Sequence, residues 1–402
     1  FNGTKVFYAV SNKGTVIMKP ATAMDSLENE LFKQKKRQEE KISVPIERTV
    51  LDNPHIINLR EVDASQSGKI CGPKAANLGQ LKKMFPDNVV EGLVLPFSVF
   101  YQHMNQPIPG SAISYWQVMN NIFDRGENMK SKGAADADIE TFVLKKLDSL
   151  RGLIKVMPFL PAFTQELQQQ FITVFGQPIG KVPVFVRSDT NMEDLKDFTG
   201  AGLNLTVFNV VDSSKILQGI RDVWASPYTE RSYKWRQRYL NNPENVFPSI
   251  LVIPSVNAAH SGVMITKGIT TGREEDITVA FNRGVGGAVD GQAAESWLLS
   301  DDGADQLITP AREATYLSIP ATGGSVKVKT TFEQRILTPE NLQTLRTLSA
   351  RILKELPGSP GIHTSGPFDM ELGFKDDHLC LFQVRPFVEN KQAAASAYLQ
   401  HI

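Results

Sequence analysis

The sequence contains few cysteines. Cys71 and Cys380 are the only two among 402 residues, and they lie far apart in no metal-ligand spacing. This scarcity excludes a disulfide framework and a zinc ribbon, and it favours a reducing compartment. The cytoplasm is therefore the expected location.

A long apolar run and a net charge are also missing. No stretch approaches the ~18 consecutive apolar residues of a membrane span, and no basic start with a following apolar segment resembles a signal peptide. Lys plus Arg and Asp plus Glu are both 43, so no overall field attracts nucleic acid or an anionic membrane. We expect neither as a partner. The first residue is Phe1 rather than Met, which favours a processed chain or a piece of a longer protein.

The composition is that of ordinary globular protein. Hydrophobic residues make up 41% and the mean hydropathy is −0.19, which predicts two or three lobes with large cores. Our expected divisions are a hairpin at 1–20, a linker with a charged helix at 21–56, a helix-rich lobe at 57–180, a β-rich lobe at 181–390 and a tail at 391–402.

Hydrophobic spacing predicts an α+β fold. Helical periods run from Gly72 to about Phe85 and through much of 115–175, and short β-type runs follow residue 180. One late helix is predicted in this second half, because Thr338-Pro339 supplies an N-cap and a first-turn proline, and Pro357-Gly358 supplies a stop.

A C-terminal hairpin carries the strongest candidate site. Residues 368–374 alternate apolar and polar, which places Asp369 and Glu371 on one strand face, and 379–386 alternates likewise, with Gln383 and Arg385 together. A three-residue loop, Asp376-Asp377-His378, would bring all four onto one face.

The register of this hairpin is a sharp test. The three-residue loop pairs Glu371 with Gln383 and Asp369 with Arg385. A two-residue turn pairs Glu371 with Phe382 instead and puts Gln383 on the wrong side.

Carboxylate and amide oxygens on adjacent strands are hard ligands suited to Mg²⁺, and an arginine beside them can offset phosphate charge. The alternative is a surface hairpin with ordinary salt bridges, since most same-face charge pairs are only solvated.

Four further segments have features suited to phosphate binding. A hydrophobic strand ends at Arg187, and Thr190 with Glu193 fits a capping box. The small residues 199–202 form a loop that can lie over a triphosphate or be only a tight turn. Lys74 stands at a helix start, where its ammonium and backbone donors could both meet phosphate. Residues 284–291 are a second flexible phosphate-side loop or simply a connection.

The six histidines provide no metal site, because none has a His, Cys or carboxylate at metal spacing. Only His363 lies in a glycine-rich, exposed setting.

These segments, in this order, resemble the nucleotide-binding domain of the family that contains pyruvate phosphate dikinase, phosphoenolpyruvate synthase and the glucan water dikinases. The resemblance covers roughly 57–388. Its landmarks are Gly72-Pro-Lys-Ala-Ala-Asn-Leu-Gly79, Val186-Arg-Ser188 with Glu193-Asp194, Trp224-Ala-Ser226 with Thr229-Glu-Arg231, Ser261-Gly-Val-Met-Ile-Thr266, Gly284 to Gly291, and Gln383-Val-Arg-Pro386.

The resemblance implies an ATP-grasp fold, in which two lobes close on ATP, and it implies roles for particular residues. Lys74 and Arg187 would contact phosphates, and Arg385 would steady the transferring group; these three are the catalytic candidates. Over the phosphates, the implied ATP contacts are Thr199, Gly200, Ala201 and Gly202. Around Mg²⁺ and phosphate they are Asp369, Glu371 and Gln383, of which Glu371 and Gln383 are the implied metal ligands. At the adenine-side hinge 251–256 they are Pro254 and Val256. Ile253 departs from the family, which commonly has an acidic or amide residue there.

The resemblance also implies a partner. In this family ATP phosphorylates a histidine on a separate swivelling domain, which carries the phosphoryl group to an acceptor such as pyruvate, water or a glucan. The hairpin at 1–20 looks like the tail of such a domain upstream, an order shared with glucan water dikinases. We therefore predict an ATP- and Mg²⁺-dependent phosphotransferase domain. The alternatives are a non-catalytic ATP-sensing module and an ATP-grasp ligase.

Overall fold

The computed structural model describes residues 6–10, 16–37, 41–193, 205–287 and 293–388. Within these ranges the helices are α1 Ala23–Arg37, α2 Pro73–Met84, α3 Phe97–Asn105, α4 Tyr115–Ser131, α5 Asp136–Lys155, α6 Pro161–Phe175, α7 Ser213–Ala225, α8 Glu230–Tyr239 and α9 Pro339–Glu355. The strands are β1 Val6–Val10, β2 Val16–Pro20, β3 Ile57–Asn58, β4 Leu93–Leu95, β5 Val184–Thr190, β6 Thr206–Val210, β7 Pro248–Pro254, β8 His260–Ile265, β9 Ile277–Arg283, β10 Glu295–Leu299, β11 Gln306–Thr309, β12 Thr315–Ser318, β13 Val326–Lys329, β14 Phe368–Lys375 and β15 His378–Pro386.

Helices and sheets are mixed, as an α+β class requires. Two larger sheets dominate: a five-stranded sheet in the order β3-β4-β7-β5-β6 and a six-stranded sheet in the order β11-β10-β9-β8-β14-β15. Neighbouring strands in both are antiparallel. Two separate hairpins, β1-β2 and β12-β13, complete the strand set of the described ranges.

Two hydrophobic cores stabilise the sheets, and the five-stranded sheet contributes to both, since Val94 and Leu251 belong to the first and Val252 belongs to the second. Helices α2 and α9 share one core with the six-stranded sheet, where Leu78 and Leu345 are buried in the same cluster as Met370. Helices α3 to α7 share the other with the five-stranded sheet, where Trp224 and Val252 belong to one cluster. Burial of such apolar side chains is the main driving force for this arrangement.

The five-stranded sheet joins distant parts of the chain. Strands β3 and β4 precede residue 180, whereas β5, β6 and β7 follow it, and Val94 of β4 pairs with Leu251 of β7. After α3 to α6, the chain therefore adds β5, β6 and β7 to the sheet that contains β3 and β4.

Helix α9 begins and ends where its sequence predicts. Thr338 Oγ1 accepts a hydrogen bond from the amide of Asn341, whose side chain accepts one from the amide of Thr338, and Pro339 occupies the first turn. Leu345 and Ile352 on its apolar stripe are fully buried.

The prediction of a single helix after residue 180 is wrong. Helices α7 and α8 also lie there, and both pack near the five-stranded sheet's core. The sequence contains two signals for α7. Asp212 is a favoured N-cap residue, and in the structure it accepts hydrogen bonds from the amides of Ser214 and Lys215. The apolar residues Ile216, Ile220 and Val223 follow the helical period.

None of the helices in the described ranges is long and apolar enough to cross a membrane.

Candidate active site

A cavity of about 280 Å³ lies between the two larger sheets. Its lining residues are Phe185, Arg187, Thr206, Phe208, Ile253, Pro254, Val256, Ser261, Gly262, Val285, Gly286, Glu371, Leu372 and Phe382. Four predicted site residues are therefore in its wall: Arg187, Pro254, Val256 and Glu371. Its remaining lining is mostly apolar, with three phenylalanines, which is typical of a small-molecule site.

The register of β14 and β15 is the predicted one. Glu371 pairs with Gln383, and Asp369 pairs with Arg385. The predicted loop is nevertheless wrong: Lys375 pairs with His378, so the turn has two residues rather than three. Asp376 and Asp377 form it with φ of 51° and 60°, the left-handed geometry that a tight two-residue hairpin needs.

A β-bulge reconciles this turn with the observed pairs. Up to Leu372, which pairs with Leu381, the two-residue turn sets the register. Between Glu371 and Leu372 the register shifts, so that Phe382 becomes an extra residue on β15 and Glu371 meets Gln383. Without the bulge, Gln383 and Arg385 would lie on the same face as the buried Leu381.

Arg187 connects the two sheets at the cavity. Its guanidinium donates from Nη1 to the carbonyl of the bulged residue Phe382 at 3.3 Å and from Nη2 to Gln383 Oε1 at 3.1 Å. Glu371 Oε2 lies 3.5 Å from the same Nη2. A planar guanidinium suits several such acceptors at once. Three predicted site residues, Arg187, Glu371 and Gln383, are thus in direct contact.

Asp369 and Arg385 form a second polar pair on the same face. Arg385 donates from Nε at 2.9 Å and from Nη2 at 2.7 Å, both to Asp369 Oδ2. Arg385 keeps about a third of its side chain exposed.

Lys74 lies in the second position of α2, but only part of its predicted chemistry survives. Its amide donates to Asp189 Oδ1 and that of Ala75 to Asp189 Oδ2, each at 2.9 Å. The expectation that these backbone donors meet phosphate is therefore wrong, because a carboxylate already occupies them. The ammonium contacts the Glu193 carboxylate and donates to the Ser188 carbonyl at 3.2 Å.

Asp189 is fully buried, and sequence reasoning missed it. Burial raises its pKa to about 7, assisted by the nearby Glu193 carboxylate and opposed by the Lys74 ammonium and the two amides of α2. The predicted turn contact of Glu193 is present: its Oε1 accepts from the amide of Thr190 at 3.0 Å.

Two predicted segments fall outside the described residues. These are Thr199, Gly200, Ala201 and Gly202, and the end of the loop 284–291 from residue 288 onwards. In the described part of the chain, His, Cys, Asp and Glu form no group of three or more suited to a metal ion.

Comparison with known proteins identifies the family of the chain. The family described as "Pyruvate phosphate dikinase, AMP/ATP-binding domain" matches residues 69–401. The chain belongs to this family.

Individual relatives in curated collections are distant. Phosphoenolpyruvate synthase of Pyrococcus furiosus is 26% identical over 284 residues, which cover 66% of this chain and 34% of that protein. Rifampicin phosphotransferase of a Streptomyces species is 25% identical over 337 residues, which cover 82% of this chain and 36% of that protein. The chain therefore spans about a third of the length of these relatives.

The family match includes each of the contacts described above. Arg187, Glu371, Gln383 and the Asp369–Arg385 pair all lie inside residues 69–401, as does the cavity. The phenylalanines of the apolar wall were missed from sequence, whereas Pro254 and Val256 were predicted. Phe185 and Phe208, with ring centroids 5.0 Å apart, come from neighbouring strands whose alternation could have indicated a shared face.

Proposed function

We propose that this chain is the ATP- and Mg²⁺-binding domain of a dikinase-type phosphotransferase with an ATP-grasp arrangement, in which the two larger sheets belong to two lobes around the nucleotide. The observation that carries the proposal is the contact of Arg187, from one sheet, with Phe382 and Gln383 of the other. It places a cation and oxygen ligands together at the polar side of a mostly apolar cavity. The lobe boundaries at residues 57, 180 and 390 stay predictions.

The apolar part of the cavity suits a nucleobase. Phe185, Phe208 and Ile253 supply flat or aliphatic surface on the five-stranded sheet's side, and Phe382 supplies it from the other. Pro254 and Val256 lie in the same wall, as an adenine-side hinge requires. Aromatic surface of this kind contributes most of the contact energy of a bound base, while few polar groups fix its orientation.

Glu371 and Gln383 fit a magnesium site. Their side-chain oxygens are hard donors on adjacent strands, and Arg187 contacts both, so that the pair is oriented before any ion arrives. When bound, Mg²⁺ would neutralise phosphate charge at this position. Asp369 is close along β14 but is held by Arg385.

The cationic side chains would bind and orient the triphosphate. Arg187 and Arg385 lie on opposite sheets, and the Lys74 ammonium adjoins the backbone of Ser188, next to Arg187. Phosphoryl transfer depends mainly on positioning and on stabilising charge, which three fixed cations can supply. Residues 199–202 would cover the phosphates.

The phosphoryl acceptor in this proposal is a histidine on a separate swivelling domain upstream in the same parent protein, with onward transfer to pyruvate, water or a glucan. The family membership and the names of the relatives support transferase chemistry, and their greater length leaves room for such a domain. A cytoplasmic location is part of the same proposal.

Mass spectrometry of the longer parent protein after incubation with ATP and Mg²⁺ tests this function. We expect phosphohistidine on the upstream domain, together with AMP among the products. Tight ATP binding without any phosphohistidine would favour an ATP-sensing module, and ADP release that depends on an added acceptor would favour a ligase.

A further inference from the structure

The start of helix α2 has no capping side chain of its own. The N-cap residue is Gly72, which makes no side-chain cap hydrogen bond, and Pro73 follows it. The amides of Lys74 and Ala75 would then lack acceptors in a buried region, which is costly. Asp189, 115 residues away from Lys74 on β5, accepts from both.

Asp189 is built tightly into this position. Ser249 Oγ donates to the Asp189 carbonyl at 2.7 Å and accepts from the amide of Gly72 at 3.0 Å. A methyl group at residue 72 would lie 2.2 Å from Asp189 Oδ1, so only glycine permits this approach. The carboxylate, the hydroxyl and the glycine thus form one interlocked contact between α2 and the five-stranded sheet.

This contact also fixes the position of the Lys74 backbone. Asp189 lies two residues after Arg187 on β5, and its carboxylate fixes the backbone of Lys74, whose ammonium reaches the intervening Ser188 carbonyl. Asn77, one turn further along α2, donates to the carbonyl of Val384 at 3.1 Å. Helix α2 is therefore held at its first turn by β5 and, one turn further along, by β15.

We propose that Asp189 is a positioning residue that, by capping α2 from the neighbouring sheet, holds the Lys74 ammonium against Glu193 and the Ser188 carbonyl. The phosphate-binding part of this inference rests on the proposed function, whereas the placement of Lys74 does not. Asp189 itself would touch no substrate, because both its carboxylate oxygens face the helix start.

Acylation of Lys74 tests the placement without any enzymatic assay. The rate at which a soluble amine-reactive ester labels Lys74, measured by peptide mass spectrometry against the exposed Lys145, reports how firmly the ammonium is held. We expect Asp189→Asn to label Lys74 at least about threefold faster than wild type, because the amides of Lys74 and Ala75 donate to different oxygens of Asp189 and the substitution replaces one of these oxygens with an NH2 group that cannot accept.

Asp212→Asn is the matched control. Asp212 also caps a helix, accepting from the amides of Ser214 and Lys215, but it belongs to α7. The Asp212→Asn substitution should leave the labelling rate of Lys74 unchanged. An equal rate in wild type and Asp189→Asn, with both proteins folded by circular dichroism, would overturn the proposal. If Asp189→Asn does not fold, Asp189→Ser, which retains one acceptor, takes its place in the same measurement.

A double-mutant cycle tests the catalytic consequence in the longer parent protein. Asp189→Asn should lower kcat for phosphohistidine formation about tenfold in wild type and have no further effect in a Lys74→Met background. Equal effects in both backgrounds would contradict action through Lys74. A wild-type protein that forms no phosphohistidine at all would count against the proposed function, and the labelling rate would then decide the placement of Lys74 alone.

Discussion

Arg187 donates a hydrogen bond to the carbonyl of Phe382, the extra residue of a β-bulge on the edge strand β15. The contact joins the central part of one sheet to the edge strand of the other. It also places the same guanidinium 3.1 Å from Gln383 Oε1. One bulge therefore determines both the face of the predicted ligands and the contact between sheets.

Substitution of Arg187 by Lys tests this contact. Lysine keeps the charge but lacks the planar fork with which Arg187 reaches Phe382 from one nitrogen and Gln383 from another. In the proposed function Arg187 also binds phosphate, and a charged hydrogen bond of this kind contributes ~1.5–3 kcal/mol, so we expect ATP·Mg²⁺ affinity to fall at least about tenfold in isothermal titration calorimetry. Arg221→Lys is the control, since Arg221 is also partly buried and donates to a carbonyl, that of Met157. Equal affinities in Arg187→Lys and wild type would contradict the assignment.

The two-residue turn predicts a stabilising substitution. Asp377 has φ of 60°, which costs a residue with a Cβ more than it costs glycine. We expect Asp377→Gly to raise the free energy of unfolding by ~0.5–1 kcal/mol in urea titration. Asp52→Gly, at an exposed residue without positive φ, should be neutral or destabilising. A destabilised Asp377→Gly protein would show that the aspartate side chain matters more than the turn geometry.

Asn209 should hold the segment 318–324 against the cavity wall. Its side-chain amide donates to the carbonyls of Pro320 and Gly324, and it follows Phe208, which lines the cavity. Asn209→Asp keeps the shape but loses both donors, so we expect ~2–3 kcal/mol of destabilisation. Hydrogen exchange should accelerate at 318–324 and not in Asn105→Asp, which alters an exposed amide. Unchanged exchange at 318–324 would argue against this role.

His103 should make stability depend on pH. Burial lowers its pKa to about 4, although the Val99 carbonyl acts in the opposite direction. In the unfolded chain its pKa is ~6.5, so between pH 6.5 and 4 only the unfolded state takes up the proton, and folding stability falls as pH falls. We expect this loss to approach ~3 kcal/mol, since one pKa unit corresponds to ~1.4 kcal/mol.

Urea unfolding at pH 7.5 and 4.5 measures that loss. His103→Gln should show a smaller pH-dependent decrease than wild type, whatever its absolute stability. Identical decreases in the two proteins would mean that folding does not lower the pKa of His103.

Local sequence determines much of this fold. The stop and start signals of α9 are contiguous in sequence, and the alternation of residues 368–374 correctly places Asp369 and Glu371 opposite the buried Met370. Such features depend on neighbours a few residues apart, which is why periodicity and capping rules capture them.

The remaining features depend on distant residues. The bulge at Phe382 appears only as an interruption of the two-residue alternation of the strand, because Leu381 and Val384 are both buried although they are three residues apart. The capping of α2 could not be predicted, because Gly72 has no side chain and its acceptor, Asp189, comes from another strand. Both belong to the candidate site, where tertiary contacts override local preference.

In the proposed function, the polar face of β14 and β15 is the phosphate side of a catalytic ATP site. The decisive experiment compares phosphohistidine formation by Arg385→Ala and by wild type in the longer parent protein at saturating ATP·Mg²⁺. Loss of a charge that acts on the transferring group should reduce the rate about 10²-fold or more, while ATP binding by calorimetry changes far less. An unchanged rate of histidine phosphorylation in Arg385→Ala would contradict the claim.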